Sequence, residues 1–326
     1  MRILVTGGLG FIGSNFIRYR IQEHPDDEII NVDRITYASN PLNLDLLKCK
    51  AYSFIKADVS DYNLMRAIIK DVDCIVNFAA ESHVDNSIKS SDQFIKSNII
   101  GTHSLLKLAM DTGARLHHIS TDEVFGSLEL GSSNKFDELS PYNPRNPYSA
   151  TKASSDFLVR SFYNTYGVKA TISNCSNNYG PYQHPEKLIP KAILSALANR
   201  KIPVYGAGNQ IRDWIHVRDH CSAISLIIDK GIPGKTYLIG GNCEYSNLEV
   251  VKLILEMLKK GPELIQNITD RPGHDVRYAL ETSHSLIEIG WKRLVSFNEG
   301  LTETINHYRV YKKLYLSYAN WLNEWH

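Results

Sequence analysis

Thr121-Asp122-Glu123 and Tyr148-Ser149-Ala150-Thr151-Lys152 bring two kinds of chemistry into one short stretch of chain. Tyr-x-x-x-Lys sets a phenol and an ammonium one helical turn apart, so both reach the same spot. A nearby cation favours phenolate and lowers a tyrosine pKa from its ordinary value of about 10. A tyrosine activated in this way takes a proton from an alcohol as hydride leaves the same carbon. Asp122-Glu123 adds two carboxyl groups, which alcohol oxidation alone does not need. Proton abstraction coupled to loss of water needs both an acid and a base. The pattern predicts a dehydrogenase that also dehydrates. An acid at Asp122 must hold its proton at neutral pH, so its pKa is expected to be raised by burial or by the Glu123 charge.

A second constellation points to a dinucleotide. Gly7-Gly8-Leu9-Gly10-Phe11-Ile12-Gly13 lies between an apolar run at 3–6 and a helical pattern at 11–22. Glycines there permit a tight turn, close approach of backbone N–H groups to a pyrophosphate and close packing of helix on strand. Asp33 follows the next apolar run, where an acid hydrogen-bonds both ribose hydroxyls and repels a 2′-phosphate. NAD is therefore expected rather than NADP, with Arg34 the neighbour that could accommodate such a phosphate. Asp58 stands after the third run, either at the adenine edge or as a helix N-cap before Tyr62. The segment 77–83 follows the fourth run and is expected to line the cofactor.

These residues must be held by a sheet. Apolar runs at 3–6, 29–32, 52–55, 74–78, 116–120 and 170–173 alternate with helical patterns at 11–22, 61–70, 92–111 and 148–166. That alternation predicts an α/β fold with a doubly wound parallel sheet, its strands buried on both faces. Beyond about residue 175, prolines at 181, 185, 190 and 203 interrupt the pattern, and Gly206-Ala207-Gly208-Asn209 reads as a turn. A helix at 217–229 and a strand at 236–239 are placed to return to the large sheet. Helices follow at 247–259 and 297–310. We expect a cofactor domain over 1–174, joined by 213–240, and a smaller substrate lobe drawn mainly from 175–326. The tail 315–326 is rich in Tyr and Trp and is expected to pack on the surface or on a partner subunit.

The 326 residues are 43% hydrophobic and 22% charged, with a net charge of +1. That balance gives no electrostatic reason to expect nucleic acid or an anionic membrane as partner. The five cysteines are scattered and odd in number, which favours reduced thiols in a cytoplasm and gives no zinc spacing. Neither a secretory leader nor a membrane-length apolar run is expected.

Six segments resemble the extended short-chain dehydrogenase/reductase superfamily and, within it, the dTDP-glucose 4,6-dehydratases. They are Thr121-Asp122-Glu123-Val124-Phe125-Gly126, Ala79-Ala80-Glu81-Ser82-His83-Val84-Asp85, Asn174-Cys175-Ser176-Asn177-Asn178-Tyr179-Gly180-Pro181, Pro185-Glu186-Lys187-Leu188-Ile189-Pro190, Arg212-Asp213-Trp214 and Asp270-Arg271-Pro272-Gly273-His274-Asp275. The resemblance implies a Rossmann-type fold with a bound NAD⁺ that is reduced and reoxidised in each turnover. It makes Tyr148 the base for the sugar O4, Glu123 the base for the C5 proton and Asp122 the acid for the departing 6-hydroxyl. Thr121 then bonds near the 4-oxygen, and Lys152 also touches the nicotinamide ribose. Cofactor contacts are implied at Gly7, Gly10, Phe11, Ile12, Gly13, Asp33, Arg34, Thr36, Asp58, Val59, Ala79, Ala80, Ser82, Ser97, Tyr148, Lys152 and Asn178. Contacts to the nucleotide sugar, dTDP-glucose, are implied at His83, Thr121, Asn177, Lys187, Leu188, Pro203, Tyr205, Arg212, Asn247, Arg271 and His274. A homodimer through helices near 92–111 and 148–166 is implied as well. Phe125 stands where the family commonly has Tyr, and Asn86 where it often has Arg.

Other readings of the same residues are blander. His117-His118 lies within a strand and is expected to be structural. Arg212 could pair with Asp213 instead of with a phosphate. The fold also serves nucleotide-sugar 4-epimerases and decarboxylases, but epimerisation needs no elimination and so has no use for Asp122-Glu123. A silent NAD-binding sensor would have no use for an activated phenol.

Overall fold

The structure, a computed structural model, describes residues 1–44, 51–270 and 272–317. Twelve strands are formed among them: β1 Arg2–Thr6, β2 Glu28–Asp33, β3 Tyr52–Lys56, β4 Cys74–Asn77, β5 Arg115–Thr121, β6 Ala170–Cys175, β7 Asn177–Tyr179, β8 Ile202–Tyr205, β9 Ile211–His216, β10 Thr236–Ile239, β11 Glu244–Ser246 and β12 Ile265–Ile268. Seven make one parallel sheet in the order β3-β2-β1-β4-β5-β6-β10. Chain order reverses between β1 and β4, which opens a crevice beyond the carboxyl ends of those strands.

Alternating side chains of the central strands serve two faces. Ile3 and Val5 of β1 pack with Phe16, Ile17, Ile224 and Ile228 from helices Phe11–Glu23 and Val217–Lys230. Leu4 packs on the other face with Ile75, Leu105, Leu116, Val159 and Phe162, beneath helices Gly101–Thr112 and Pro147–Tyr166. Arg20 clasps the first face together. Its Nε meets Asp27 at 2.6 Å, and its Nη groups reach Asp229 at 2.8 Å and Ser225 Oγ at 2.6 Å.

Two details depart from the periodicity. β3 is not buried on both faces: Ser53, Phe54 and Lys56 are exposed, because it is the edge strand. The helix expected over 92–111 is one path of three kinds of turn: Asp92–Phe94 is α-helical, Ile95–Ile100 π-helical, and Gly101–Thr112 α-helical again. The wide turn carries buried Ser97 and Asn98 toward the crevice, a placement often associated with functional sites.

The remaining strands form smaller sheets, β11-β9-β7 and β12-β8. They are short, and β8 contains Pro203, so their sequence signal is faint. Helices Leu188–Leu197, Asn247–Met257 and Phe297–Val310 bury Ile189, Ile193, Val250, Ile254, Leu301 and Tyr308 against Val204. Gly206 and Gly208 take positive φ, as a turn there requires. The reading of the aromatic tail falls mostly on 318–326, outside the described residues; Tyr315 itself is buried.

Candidate active site

Thr121 ends β5, and Asp122–Phe125 make a tight helical turn whose first residues are capped by the Thr121 hydroxyl, which accepts the Glu123 N–H at 3.3 Å. Gly126 leaves the turn at φ +88, and a Cβ there would meet the Asn143 carbonyl at 2.6 Å. Helix Pro147–Tyr166 starts from an Asn146–Ser149 capping box with Pro147 at its first position. Tyr148 thus lies in the first turn and Lys152 in the next, both facing the end of β5. Asn146 also donates to Glu123 Oε2 at 3.4 Å, so the helix cap orients the second carboxylate. No motif pointed to Asn146 in that role.

Asp122 and Glu123 meet different surroundings. Asp122 is 1% exposed, whereas Glu123 is only partly buried. Burial first, then the Glu123 and Asp213 charges, push the Asp122 carboxyl well above its ordinary range. Its Oδ1 accepts the Thr121 hydroxyl at 3.2 Å, and among the described residues nothing bonds its Oδ2. The direction of this shift is the one expected of a proton donor, and Oδ2 is buried without a hydrogen-bond partner.

Tyr148 departs from expectation. Burial raises its pKa well above the ordinary value, the Glu123, Cys175 and Asp122 charges add to that, and a hydrogen bond from Thr121 lowers it. The ammonium does not win in the protein alone. Lys152 Nζ donates to the Ile119 carbonyl at 2.6 Å and lies 3.4 Å from His118 Nε2, and burial brings its own pKa down to about 8.

These groups and the glycine turn share one cleft of about 310 Å³. Gly7, Gly10, Phe11, Ile12, Gly13, Asp33, Arg34, Thr36, Asp58, Val59, Ala79, Ala80, Ser82, Ser97 and Asn178 line it, together with Thr121, Asp122, Glu123, Tyr148 and Lys152. The cleft fits a dinucleotide. Helix Phe11–Glu23 begins at Gly10 with no side chain capping its first N–H groups, which suits a pyrophosphate. A Cβ on Gly13 would strike the Gly7 carbonyl at 2.5 Å, and one on Gly7 the Ala79 backbone at 2.7 Å. Asp33 ends β2 and is braced by the Leu9 and Ile35 N–H groups at 3.1 and 2.8 Å. Arg34 is held by Glu81 at 2.6 Å and lies 3.6 Å from Asp58, so acids already neutralise the cation that could have favoured a 2′-phosphate. Asp58 is not the cap of helix Tyr62–Ile68. Asp61 is, and Asp58 accepts from Ser60 while lining the cleft.

Asn98, on the π-helical turn, escaped the sequence reading. Its amide accepts the Glu81 N–H at 2.9 Å and donates to the Glu81 carbonyl at 3.1 Å and to Thr151 Oγ1 at 2.8 Å. It thereby stitches the 79–82 loop to the Tyr-Lys helix. Its signal was a polar pair, Ser97-Asn98, among apolar neighbours.

The residues assigned to the nucleotide sugar spread outward. Asn177 and Lys187 line the cleft, and Lys187 Nζ donates to the Ser82 carbonyl at 3.2 Å. His83 and Tyr205 line an adjoining cavity of about 1000 Å³, where Tyr205 donates to Asp85 at 3.0 Å. The His274 ring lies 5.9 Å from that of Tyr205, and His274 Nδ1 lies 2.6 Å from Asp270. Leu188, Pro203 and Asn247 sit at the starts of helices or within β8, outside the cleft lining. Arg212 is buried below it. Its guanidinium donates to the Ile211 and Asp275 carbonyls at 2.8 and 2.9 Å and stacks 4.4 Å from the Tyr278 ring centre. It does not pair with Asp213, which instead accepts the Gly241 and Cys243 N–H groups at 2.9 and 2.8 Å. Arg271 lies outside the described residues. Phe125 stacks on Phe136 with centroids 5.3 Å apart, an apolar setting with its edge toward Tyr142, and Asn86 lies 3.5 Å from the Tyr37 hydroxyl. His117 is structural as expected, 2.9 Å from Thr171 Oγ1 and 3.1 Å from Ser173 Oγ. Among the described residues no cluster of metal ligands forms and no helix is long and apolar enough to cross a membrane.

Comparison with known proteins agrees with this geometry. The family described as GDP-mannose 4,6 dehydratase matches residues 4–304. A dTDP-glucose 4,6-dehydratase of Mycobacterium tuberculosis is 48% identical over 310 residues, covering 95% of this chain and 93% of its own. A dTDP-glucose 4,6-dehydratase from Streptomyces venezuelae, solved with NAD bound, superimposes with a TM-score of 0.94 at 42% identity, over 98% of this chain and 100% of its own. A UDP-glucose 4-epimerase of Thermus thermophilus in complex with NAD gives 0.86 at 26% identity, over 95% and 99%.

Proposed function

The chain belongs to the GDP-mannose 4,6 dehydratase family, and we propose that it converts dTDP-glucose to dTDP-4-keto-6-deoxy-glucose with NAD as its cofactor. It is a hydro-lyase of nucleotide-sugar metabolism. The observation that carries this reading is Asp122 beside Glu123: a buried acid whose pKa is pushed upward by burial and by its neighbour's charge, with an unbonded oxygen, next to a second carboxyl. A 4-epimerase needs no such elimination pair.

Bound NAD supplies the hydride acceptor for C4 and the hydride donor for C6. The protein's own groups manage protons. Tyr148 takes the proton from O4 as the phenolate, a form that the Lys152 ammonium and the nicotinamide cation would favour once NAD⁺ is bound, with Thr121 bonding near that oxygen. The 4-ketone acidifies the C5 proton, which Glu123 removes from the position Asn146 gives it. Asp122 then protonates the departing 6-hydroxyl through its free oxygen, and protonated Glu123 returns a proton to C5 as C6 gains hydride. Lys152 supplies the cation of the oxidation step and reaches the nicotinamide ribose, while the glycine turn and Asp33 hold the rest of the dinucleotide. His83, Asn177, Lys187, Leu188, Pro203, Tyr205, Arg212, Asn247, Arg271 and His274 hold the dTDP portion, within a lobe drawn mainly from 175–326.

The chain acts as a homodimer in the cytoplasm. Ile95, Ile100, Phe157, Tyr163 and Tyr166 leave apolar surface exposed on the helical layer where the two chains would meet. Cys74, Cys175, Cys221 and Cys243 are free thiols, in keeping with a reducing compartment. Incubation with dTDP-glucose and UDP-glucose separately, with products identified by mass and NMR, tests the reading. A 4-keto-6-deoxy product from dTDP-glucose is expected. A 4-epimer, or conversion of UDP-glucose alone, would contradict it.

A further inference from the structure

A row of polar side chains runs under the site across three strands. Thr6, Asn77 and His118 stand side by side in register on β1, β4 and β5. The Thr6 hydroxyl donates to Asn77 Oδ1 at 2.8 Å, which turns the amide nitrogen toward Thr102 Oγ1 at 3.3 Å and His118 Nδ1 at 3.1 Å. Nδ1 therefore accepts, and the neutral ring keeps its hydrogen on Nε2. That hydrogen faces two groups, Asp156 Oδ1 at 3.5 Å and Lys152 Nζ at 3.4 Å.

Asp156 has no evident task in the chemistry, yet it is wholly buried. Its Oδ2 accepts from Ser120 Oγ at 2.8 Å, the Tyr142 hydroxyl at 2.9 Å and Asn174 Nδ2 at 3.2 Å. Its Oδ1 has no hydrogen bond and lies 3.5 Å from His118 Nε2, the atom that Lys152 Nζ approaches at 3.4 Å. Burial raises the Asp156 pKa, and the Lys152 charge and these donors act against that in favour of the carboxylate, which once buried needs a cation. Lys152, one helical turn away on the same face, faces it across His118 Nε2 rather than in a direct ion pair.

We propose that Asp156 is the positioning residue for Lys152, its buried carboxylate keeping the ammonium charged and seated against the Ile119 carbonyl. The groups facing Lys152 support this. From β5 come neutral His118 and a carbonyl, from β6 the buried Cys175 thiol, and from its own helix Tyr148 and Asp156. Asp156 is the first of the influences that hold the Lys152 proton on against burial. Arg160 donates to the Tyr142 hydroxyl at 2.9 Å, and that hydroxyl in turn donates to Asp156, so Arg160 stands one hydrogen bond removed from the carboxyl.

The inference rests on the reading of Lys152 as the cation of the oxidation step, so its test does not use turnover. In protein labelled at the lysine Cε, the Lys152 resonance is assigned by its loss in Lys152→Met. It should titrate near 8 in the wild type. In Asp156→Asn, which keeps the shape and the accepting oxygen, it should fall by at least about one pH unit. Asp156→Glu should restore it. In Ser120→Ala the carboxylate loses one donor but keeps its charge, and the titration should stay at or above the wild-type value. An unmoved titration in Asp156→Asn, or a fall in Ser120→Ala, overturns the proposal. An inactive protein with the predicted shifts would contradict the catalytic reading alone.

Discussion

Adjacent carboxyl groups rarely stay alike once a fold surrounds them, and at this site the division of labour follows from one residue of rotation. Asp122 turns inward, where burial raises its pKa; Glu123 turns toward the cleft and the Asn146 amide. The residue types and their order were readable from the sequence, as was the direction of the Asp122 shift. The Tyr148 shift runs opposite to the reading, because spacing shows that Lys152 is near but not that burial and the Glu123, Cys175 and Asp122 charges bear on the phenol while the amine is turned to a carbonyl. Arg212 was read as a phosphate clamp, and the structure shows it in a structural task. Its fork ties Ile211 to Asp275 and covers Tyr278. Arg212→Ala should therefore weaken dTDP binding at least tenfold and also lower stability by about 1–3 kcal/mol, since buried carbonyls lose their donors. Arg212→Lys should recover little of either, because an ammonium lacks the planar fork. Calorimetric titration with dTDP and thermal melts read both effects, and normal affinity in both variants would remove Arg212 from the nucleotide site.

At the scale of elements, the large sheet was plain in the sequence because buried parallel strands are apolar runs and their helices have a clear period. The small sheets were not, since strands of a few residues carry almost no alternation and β8 includes a proline. The π-helical turn was invisible for a related reason: one wider turn shifts the apolar stripe without breaking it. Polar residues within strands need partners from neighbouring strands, and His117 shows how. It bridges Thr171 and Ser173 of β6 and is kept neutral by burial, its pKa brought down to about 3. A histidine whose pKa is lower in the fold than in the unfolded chain stabilises the fold fully above the unfolded value of about 6.5, and this contribution is lost as pH falls toward the folded value. The stability difference between wild type and His117→Gln should thus narrow by about 1.4 kcal/mol per pH unit below about 6.5. Denaturant melts at pH 7.5 and below read it, and a gap constant with pH would mean that the ring titrates alike in the folded and unfolded chain.

Across the whole molecule, the cleft is made where the sheet reverses and the smaller sheets lean over it. Cofactor and candidate substrate residues therefore come from segments far apart in sequence, such as Gly7, Asp33, Thr121 and Lys187. The far face of the same sheet layer leaves Phe157 55% exposed and Tyr166 59% exposed on one long helix. Phe157→Asp with Tyr166→Asp should convert a particle of two chains to one in light scattering, with secondary structure unchanged. A wild-type protein that is already a single chain at micromolar concentration would contradict the proposed dimer.

The central claim is that oxidation belongs to Tyr148 and Lys152, and elimination to Asp122 and Glu123. A single-turnover quench experiment with dTDP-glucose, followed by mass and by the absorbance of reduced cofactor, separates the two. Tyr148→Phe should give no reduced cofactor and unchanged substrate. Asp122→Asn with Glu123→Gln should oxidise the sugar but lose water about 10²–10⁴-fold more slowly, so that a 4-keto-glucose nucleotide accumulates. Dehydration by that double variant at the wild-type rate would show that the carboxyl pair only shapes a turn, and the account of this site would fail.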